Sequence, residues 1–150
     1  MSKALDVQQV QHFFDEVEEE LVSLQSIDSF EMLREIISYS RHLEDFPQEL
    51  MTEENRVHGC QSTVYIHALH DDSAVYFQAF SDAQVLRGYL GILLAGLNYM
   101  AIEDFLKHAR SIVEDFAKRT NIAASVTPTR ANAFGNIFEL METQVRRIAD

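Results

Sequence analysis

The sequence predicts a single α+β domain in which a small antiparallel sheet of about three strands is packed by helices. Apolar residues recur every three to four positions over most of the chain, which is typical of amphipathic helices. In one central stretch they alternate with period two, which is typical of a half-buried hairpin. A length of 150 residues and a hydrophobic content of 47% suit one core. We therefore assign residues 1–150 to one domain.

Two helices are predicted in the first 43 residues. The apolar stripe of the first comprises Val10, Phe13, Phe14, Val17, Leu21 and Leu24. The second follows Asp28, which with Glu31 resembles a capping box, and it should end near Leu43. Its stripe comprises Phe30, Leu33, Ile36, Ile37 and Tyr39. Pro47 then breaks the pattern, so residues 44–56 are expected to form a surface connection.

A β-hairpin is predicted in the middle of the chain. Val64, Ile66 and Ala68 alternate with a second set of side chains, and after a polar turn Val75, Phe77 and Ala79 do so again. The second set comprises Tyr65, His67 and Leu69 in the first strand and Tyr76, Gln78 and Phe80 in the second. An isolated hairpin is marginally stable in water, which favours a third strand. The nearest candidate for that strand runs from Asn55 to His58.

Three further helices are predicted after the hairpin. Ser81 and Gln84 fit a capping box at the start of the first, whose Gly88, Gly91 and Gly96 indicate close backbone packing. The second has its stripe at Ile102, Phe105, Leu106, Ala109, Ile112, Val113 and Phe116. The last should open at Thr127-Pro128. Its stripe comprises Ala131, Phe134, Ile137, Phe138, Met141, Val145 and Ile148.

Charge and cysteine content exclude several classes of function. The net charge is −12, and 14 acids against 4 bases lie in residues 1–60, so sequence-independent binding of nucleic acid is opposed. One cysteine permits neither an internal disulfide nor a zinc or iron–sulfur site built from several thiolates. The longest uncharged stretch, 88–102, is shorter than the roughly 20 residues of a membrane span. With no secretory pattern in residues 1–11, we expect a cytoplasmic protein without membrane contact.

Cys60 is the candidate nucleophile, because it is the only thiol and lies in a predicted connection after Gly59. A lone cysteine is also often a small buried apolar residue. One hypothesis is a small Cys-dependent hydrolase or transferase, with His58, His67 or His70 as base and Asp82 orienting it. A metal site using His58 and Cys60 lacks the usual paired ligands, so no metal is predicted.

Two arginines near predicted helix starts, Arg87 and Arg130, are further candidates. A guanidinium or a helix N-terminus close to Cys60 would favour its thiolate form. Each arginine could equally form an ordinary ion pair, and the spacing does not decide between the two.

Three blocks of the sequence, in order, resemble the SufE/CsdE family of sulfur-acceptor proteins. The first is Val57-His58-Gly59-Cys60-Gln61-Ser62-Thr63-Val64-Tyr65-Ile66, against a family signature of Val-x-Gly-Cys-Gln-Ser-x-Val-Trp-Ile. The others are the Ser-Asp-Ala block from Ser81 to Gly88 and the Pro-Ser-Arg block at Thr127-Pro128-Thr129-Arg130. Departures are Tyr65 for Trp, Thr129 for Ser, and Ala133-Phe134 for Gly-Leu.

The resemblance implies that Cys60 accepts persulfide sulfur from a SufS- or CsdA-like cysteine desulfurase, stimulates that enzyme and passes the sulfur to an iron–sulfur scaffold or another recipient. The desulfurase carries pyridoxal phosphate, whereas this chain would bind no cofactor and would be an accessory protein rather than an enzyme. Gly59, Gln61 and Ser62 would form the acceptor loop, with Asp82 and Arg130 as polar neighbours. The implied fold is related to the IscU-type scaffolds, which hold a cluster with several cysteines.

Overall fold

Six α-helices and one β-hairpin form the regular structure of residues 4–125 and 133–150, the part of the chain that this computed structural model describes. In chain order they are α1 (Val7–Ile27), α2 (Ser29–Ser38), β1 (Val64–Asp71), β2 (Ala74–Ser81), α3 (Gln84–Leu97), α4 (Ile102–Asp104), α5 (Arg110–Thr120) and α6 (Ala133–Ala149). Short 3₁₀ turns, among them Tyr39–His42 and Glu53–Asn55, connect α2 to β1. The predicted α+β class is confirmed.

The first two helices form where the stripes predict them, but α2 ends at Ser38 rather than near Leu43, because Tyr39–His42 forms a 3₁₀ turn. Asp6 and Gln9 build a reciprocal capping box on α1. Asp28 caps α2 by accepting a hydrogen bond from the Phe30 amide, and the predicted box with Glu31 does not form. The predicted stripe of α2 is also displaced, because Phe30 is 66% exposed and the buried side chains are Met32 and Ile36.

The sheet has two strands among the described residues, so the prediction of about three is wrong. β1 and β2 pair antiparallel from Val64 opposite Ser81 to Asp71 opposite Ala74. The segment expected to be a third strand contributes one isolated bridge, between Arg56 and Tyr65. No ladder follows because the residues before the bridge are held in a 3₁₀ turn and those after it leave in a loop.

Helix α3 occupies the centre of the core and confirms the close packing that its glycines predict. A Cβ atom on Gly88 would overlap the backbone carbonyl of Ile36, and one on Gly91 would overlap that of Tyr39. The predicted capping box before α3 is wrong. Ser81 is instead the last residue of β2, and its Oγ accepts from the Ala83 amide, so the helix begins only at Gln84.

The last helices close the other side of the hairpin. A π-helical turn (Phe105–Ala109) joins α4 to α5, and α6 packs on β1. Phe105 links the layers, its ring lying 5.6 Å from Phe77 and 5.7 Å from Phe138. The stripe predicted for the last helix is buried at Phe134, Ile137, Phe138, Met141 and Val145. Its predicted start at Thr127-Pro128 lies outside the described residues. None of the described helices combines the length and the apolar character that crossing a bilayer requires.

Candidate functional site

Cys60 lies in the loop that leads into β1, and residues 58–62 are called the Cys60 loop from here on. The Val57 N–H donates to the Val64 carbonyl at 2.9 Å, which closes the neck of the loop. Cys60 is half-buried and packs against the main hydrophobic cluster. Within the loop, Ser62 is buried and Gln61 is exposed. The thiol is thus partly shielded, in the loop that precedes β1.

Asp82, which follows the last residue of β2, also holds the neck of the loop through hydrogen bonds. Its Oδ1 accepts the Thr63 N–H at 3.1 Å, and its own N–H donates to the Thr63 carbonyl at 3.4 Å. This reciprocal pairing continues the hairpin by one step beyond the last ladder pair. Asp82 was expected near the acceptor loop, and its carboxylate accepts a backbone hydrogen bond at the base of that loop.

Gly59 adopts a left-handed conformation, with φ of +79°. Glycine is favoured at such a φ because it has no Cβ to strike the backbone. Its carbonyl accepts a hydrogen bond of 3.4 Å from Asn136 Nδ2 on α6. A Cβ built on Gly59 would lie 2.7 Å from the same nitrogen. An alanine here would therefore require the Asn136 amide to turn aside.

Two further polar side chains of α6 hold the chain on either side of the loop. Gln144 is buried, and its Nε2 donates to the Ile66 carbonyl at 2.8 Å and to Asn55 Oδ1 at 3.3 Å. Arg147 pairs with Glu54 at 3.0 Å. Sequence reasoning missed Asn136 and Gln144, because an isolated amide on an amphipathic helix carries no signal of a partner almost 80 residues away.

The three candidate histidines do not form a dyad with Cys60. His58 is exposed, with Nε2 3.9 Å from a carboxylate oxygen of Glu53. His70 Nδ1 lies 3.2 Å from a backbone carbonyl of the hairpin turn. His67 lines a cavity of about 340 Å³ beside β1. Among the described residues no hydrogen bond joins any of them to the thiol, so the geometry required by the hydrolase hypothesis is not assembled.

The two candidate arginines have different outcomes. Arg87 Nη1 donates to the Ser81 carbonyl at 3.4 Å, and its side chain lines a cavity with Phe46 and Phe80. It therefore fastens the start of α3 to the end of β2. Arg130 falls in 126–132, outside the described residues, so its predicted place near Cys60 stays a prediction.

Two linked pKa shifts lie where α1 meets the 3₁₀ turn that follows α2. Burial, followed by the nearby Glu20 carboxylate, raises the pKa of Tyr39 to about 12. Burial and the neighbouring Glu35 carboxyl raise the pKa of Glu20 above its ordinary value. The two side chains are themselves linked, since Tyr39 Oη donates to Glu20 Oε1 at 3.3 Å.

Comparison with protein families gives one match over most of the chain. The family described as "SufE: Fe-S metabolism associated domain" matches residues 16–145, which include the Cys60 loop, the hairpin and most of α6.

Individual relatives carry related descriptions. An uncharacterized SufE-like protein of Synechocystis is 36% identical over 110 residues, covering 73% of this chain and 67% of that protein. The cysteine desulfuration protein SufE of Plasmodium vivax is 30% identical over 119 residues, covering 77% of this chain and 46% of its own. The chloroplastic/mitochondrial SufE-like protein 1 of Arabidopsis thaliana is 27% identical over 139 residues, covering 91% and 36%. The chain thus spans less than half of the last two proteins.

The fold also matches a solved structure. The solution structure of a hypothetical protein from Thermus thermophilus superposes with a TM-score of 0.67 over 90% of this chain and 94% of that one. At 20% identity this likeness establishes the fold alone.

Proposed function

The chain belongs to the SufE family, a family associated with iron–sulfur metabolism, and we propose that its Cys60 accepts sulfur from the persulfide of a cysteine desulfurase and stimulates that enzyme. The observation that carries the proposal is the position of the only thiol. It lies half-buried on a loop whose neck is fixed by backbone hydrogen bonds, within the residues that match the family.

The proposed transfer is a thiol–persulfide exchange. The Cys60 thiolate attacks the outer sulfur of the donor Cys–S–SH, a new S–S bond forms at Cys60 Sγ, and the S–S bond of the donor breaks. The donor cysteine leaves as a thiolate that takes up a proton, so the step needs no external oxidant or reductant. A chain with one cysteine has no second thiol to convert the new persulfide into an internal disulfide.

The surroundings of Cys60 suit a carrier better than a hydrolase. No described histidine is hydrogen-bonded to the thiol, and Oδ1 of the candidate orienting carboxylate, Asp82, accepts the Thr63 N–H. Within this proposal the chain binds no cofactor of its own, pyridoxal phosphate belongs to the desulfurase, and the protein acts in the cytoplasm as an accessory rather than an enzyme. Gly59, Gln61 and Ser62 shape the loop, and an iron–sulfur scaffold or another acceptor removes the sulfur.

Intact mass spectrometry tests the proposal. The protein is mixed with a SufS-type desulfurase and free cysteine without reductant, beside the Cys60→Ser variant. We expect the wild-type chain to gain at least one sulfur atom that dithiothreitol removes, and the variant to gain none. Desulfurase turnover measured in parallel should rise with the wild-type chain and not with the variant.

Two results would contradict the proposal. One is a wild-type chain that stays unmodified, and the other is undiminished stimulation of the desulfurase by Cys60→Ser. Gly135→Ala is the control, since it changes an exposed residue of α6 outside the Cys60 loop and leaves the thiol in place. A hydrolase would instead consume a thioester or ester substrate with no donor present, which the same preparations can be assayed for.

A further inference from the structure

We propose that Asn136 is a positioning residue that fastens the Cys60 loop to α6, so that releasing its hydrogen bond to Gly59 is the step that frees Cys60 for a partner. The inference rests on the proposed function of Cys60. It concerns how the thiol is held, whereas the proposed function concerns what the thiol carries.

The first support is the connectivity of the loop. Among hydrogen bonds between described residues, the bond from Asn136 Nδ2 to the Gly59 carbonyl is the one that reaches the Cys60 loop. It joins positions 77 residues apart in the chain, so it is a tertiary contact rather than part of a local turn. The conformation of the loop tip is therefore tied to the position of α6.

The second support is the fit between the two residues. Gly59 has a positive φ, and a Cβ built on it would meet Asn136 Nδ2 at 2.7 Å. A short polar side chain and a residue without a side chain are thus packed against each other. Any larger residue at position 59 would displace the Asn136 amide from its hydrogen bond.

The third support is a contrast in the number of hydrogen bonds between the neck and the tip. The neck has three, namely Val57 N–H to Val64 O at 2.9 Å, Thr63 N–H to Asp82 Oδ1 at 3.1 Å and Asp82 N–H to Thr63 O at 3.4 Å. At the tip the described residues make one, from Asn136 to Gly59 at 3.4 Å. One hydrogen bond is lost more readily than three, so the tip detaches before the neck does. The loop can then swing out while its base stays on the hairpin.

The amide is also within reach of a docking protein. Asn136 lines an open hollow of about 210 Å³ together with side chains from the loop's N-terminal arm and from α6, namely Arg56, His58, Glu139, Leu140 and Thr143. A backbone N–H or C=O of a partner that enters this hollow can compete for the Asn136 amide. Binding of a partner in this hollow would thus release the Cys60 loop by taking the Asn136 amide away from Gly59.

Alkylation of Cys60 under native conditions tests this without any desulfurase. For Asn136→Ala we expect the iodoacetamide rate constant to rise roughly 2- to 10-fold, the population change that a net hydrogen bond of ordinary size corresponds to. Asn136→Asp keeps the shape but replaces the donor N–H with an acceptor, so it should raise the rate at least as much. If the Asn136 side chain only fills space, the Asn136→Asp variant should keep the wild-type alkylation rate.

Thr143→Ala is the matched control. Thr143 lines the same hollow, but its hydroxyl donates a hydrogen bond to the Glu139 carbonyl of its own helix. Removing that hydroxyl should therefore leave the alkylation rate of Cys60 unchanged. Urea unfolding of each variant separates loop opening from global unfolding. Unchanged or slower alkylation in both Asn136 variants overturns the inference. If alkylation accelerates while wild-type Cys60 gains no sulfur from a desulfurase, the proposed function fails and the positioning role stands.

Discussion

Glycines pack closely against a neighbouring element in two regions of this protein, helix α3 and the Cys60 loop. Two glycines of α3 contact backbone atoms, whereas the glycine of the loop contacts a side chain. In the core, Gly88 and Gly91 of α3 face backbone carbonyls of Ile36 and Tyr39, which are themselves fixed by helical hydrogen bonds. At the functional loop, Gly59 faces the end of one side chain, Asn136. Backbone cannot move without disturbing a whole element, whereas a side-chain amide can turn away.

The difference indicates why one contact is permanent and the other is suited to release. The α3 glycines let two helical segments pack at short range over a buried surface, and opening that surface would expose much of the core. The contact at Gly59 closes a half-exposed loop with a single hydrogen bond. Four glycine-to-alanine substitutions test whether the kind of neighbour determines how much one added methyl group lowers the free energy of unfolding. They are taken from the largest expected loss to the smallest.

Gly91→Ala should have the largest effect. The new Cβ would overlap the Tyr39 carbonyl, and both residues lie in regular structure that must shift as a unit. We expect a loss of about 3 kcal/mol or more in the free energy of unfolding, the upper part of the range for overpacked cores. Urea denaturation followed by circular dichroism measures it. A loss below about 1 kcal/mol would mean that the neighbouring backbone yields, and the contrast with the loop would disappear.

Gly96→Ala should have an intermediate effect, because its neighbours are the side chains of one buried and one partly buried phenylalanine. The added Cβ would lie 2.5 Å from Phe14 Cε2 and 2.8 Å from Phe13 Cδ2, two rings packed edge to face. Rings can rotate where backbone cannot, so we expect a loss of about 1–3 kcal/mol. The same denaturation series measures it. A second variant, Gly96→Ala with Phe13→Leu, should recover part of the loss if ring crowding is the cause.

Gly59→Ala should cost less, and mainly through backbone strain. A left-handed conformation costs an L residue about 1–2 kcal/mol, and the Asn136 amide must also turn away. We expect the free energy of unfolding to fall by that amount while Cys60 becomes more reactive toward iodoacetamide. A double-mutant cycle with Asn136→Ala should show coupling, since removing the amide relieves the collision but not the strain. Strict additivity would argue against the contact.

Gly135→Ala should be the smallest effect and of opposite sign. Gly135 lies in α6, is exposed, and a Cβ there would have no neighbour within 4 Å in the described part of the chain. Alanine is favoured over glycine in a helix by up to about 1 kcal/mol, so the free energy of unfolding should rise by several tenths of a kcal/mol. A clear fall in the free energy of unfolding would show that a Cβ at position 135 collides with a neighbour, and the proposed link between neighbour and cost would fail.

Local patterns in the sequence predicted most of the elements and were less accurate at their ends. The alternation in β1 and β2 and the periodic stripes of α1 and α6 depend on one buried face, which neighbouring residues encode directly. The capping box at Ser81 was wrong because its hydroxyl accepts from the Ala83 amide inside a turn that ends β2. The third strand was wrong because a single bridge at Arg56 does not continue into a ladder.

The candidate site was predictable to the extent that it lies in one continuous stretch. Gly59 and Cys60 could be singled out from residue chemistry, and the resemblance in the surrounding block assigned the thiol a role. Their tertiary partners gave no such signal. Gln144 reaches Ile66 across 78 residues and Asn136 reaches Gly59 across 77, and each is one amide on a helix that also has other polar residues.

Composition and short-range patterns were enough to establish the fold class, the single thiol, the acidic charge and the glycines that demand close packing, because each follows from residue counts or from neighbours a few positions away. The groups that hold the Cys60 loop became known only from the folded arrangement. It places Asp82 at the neck, Asn136 at the tip, and Gln144 beside β1. A hydrogen bond between distant residues depends on how the helices and hairpin pack together, and no local spacing encodes that arrangement.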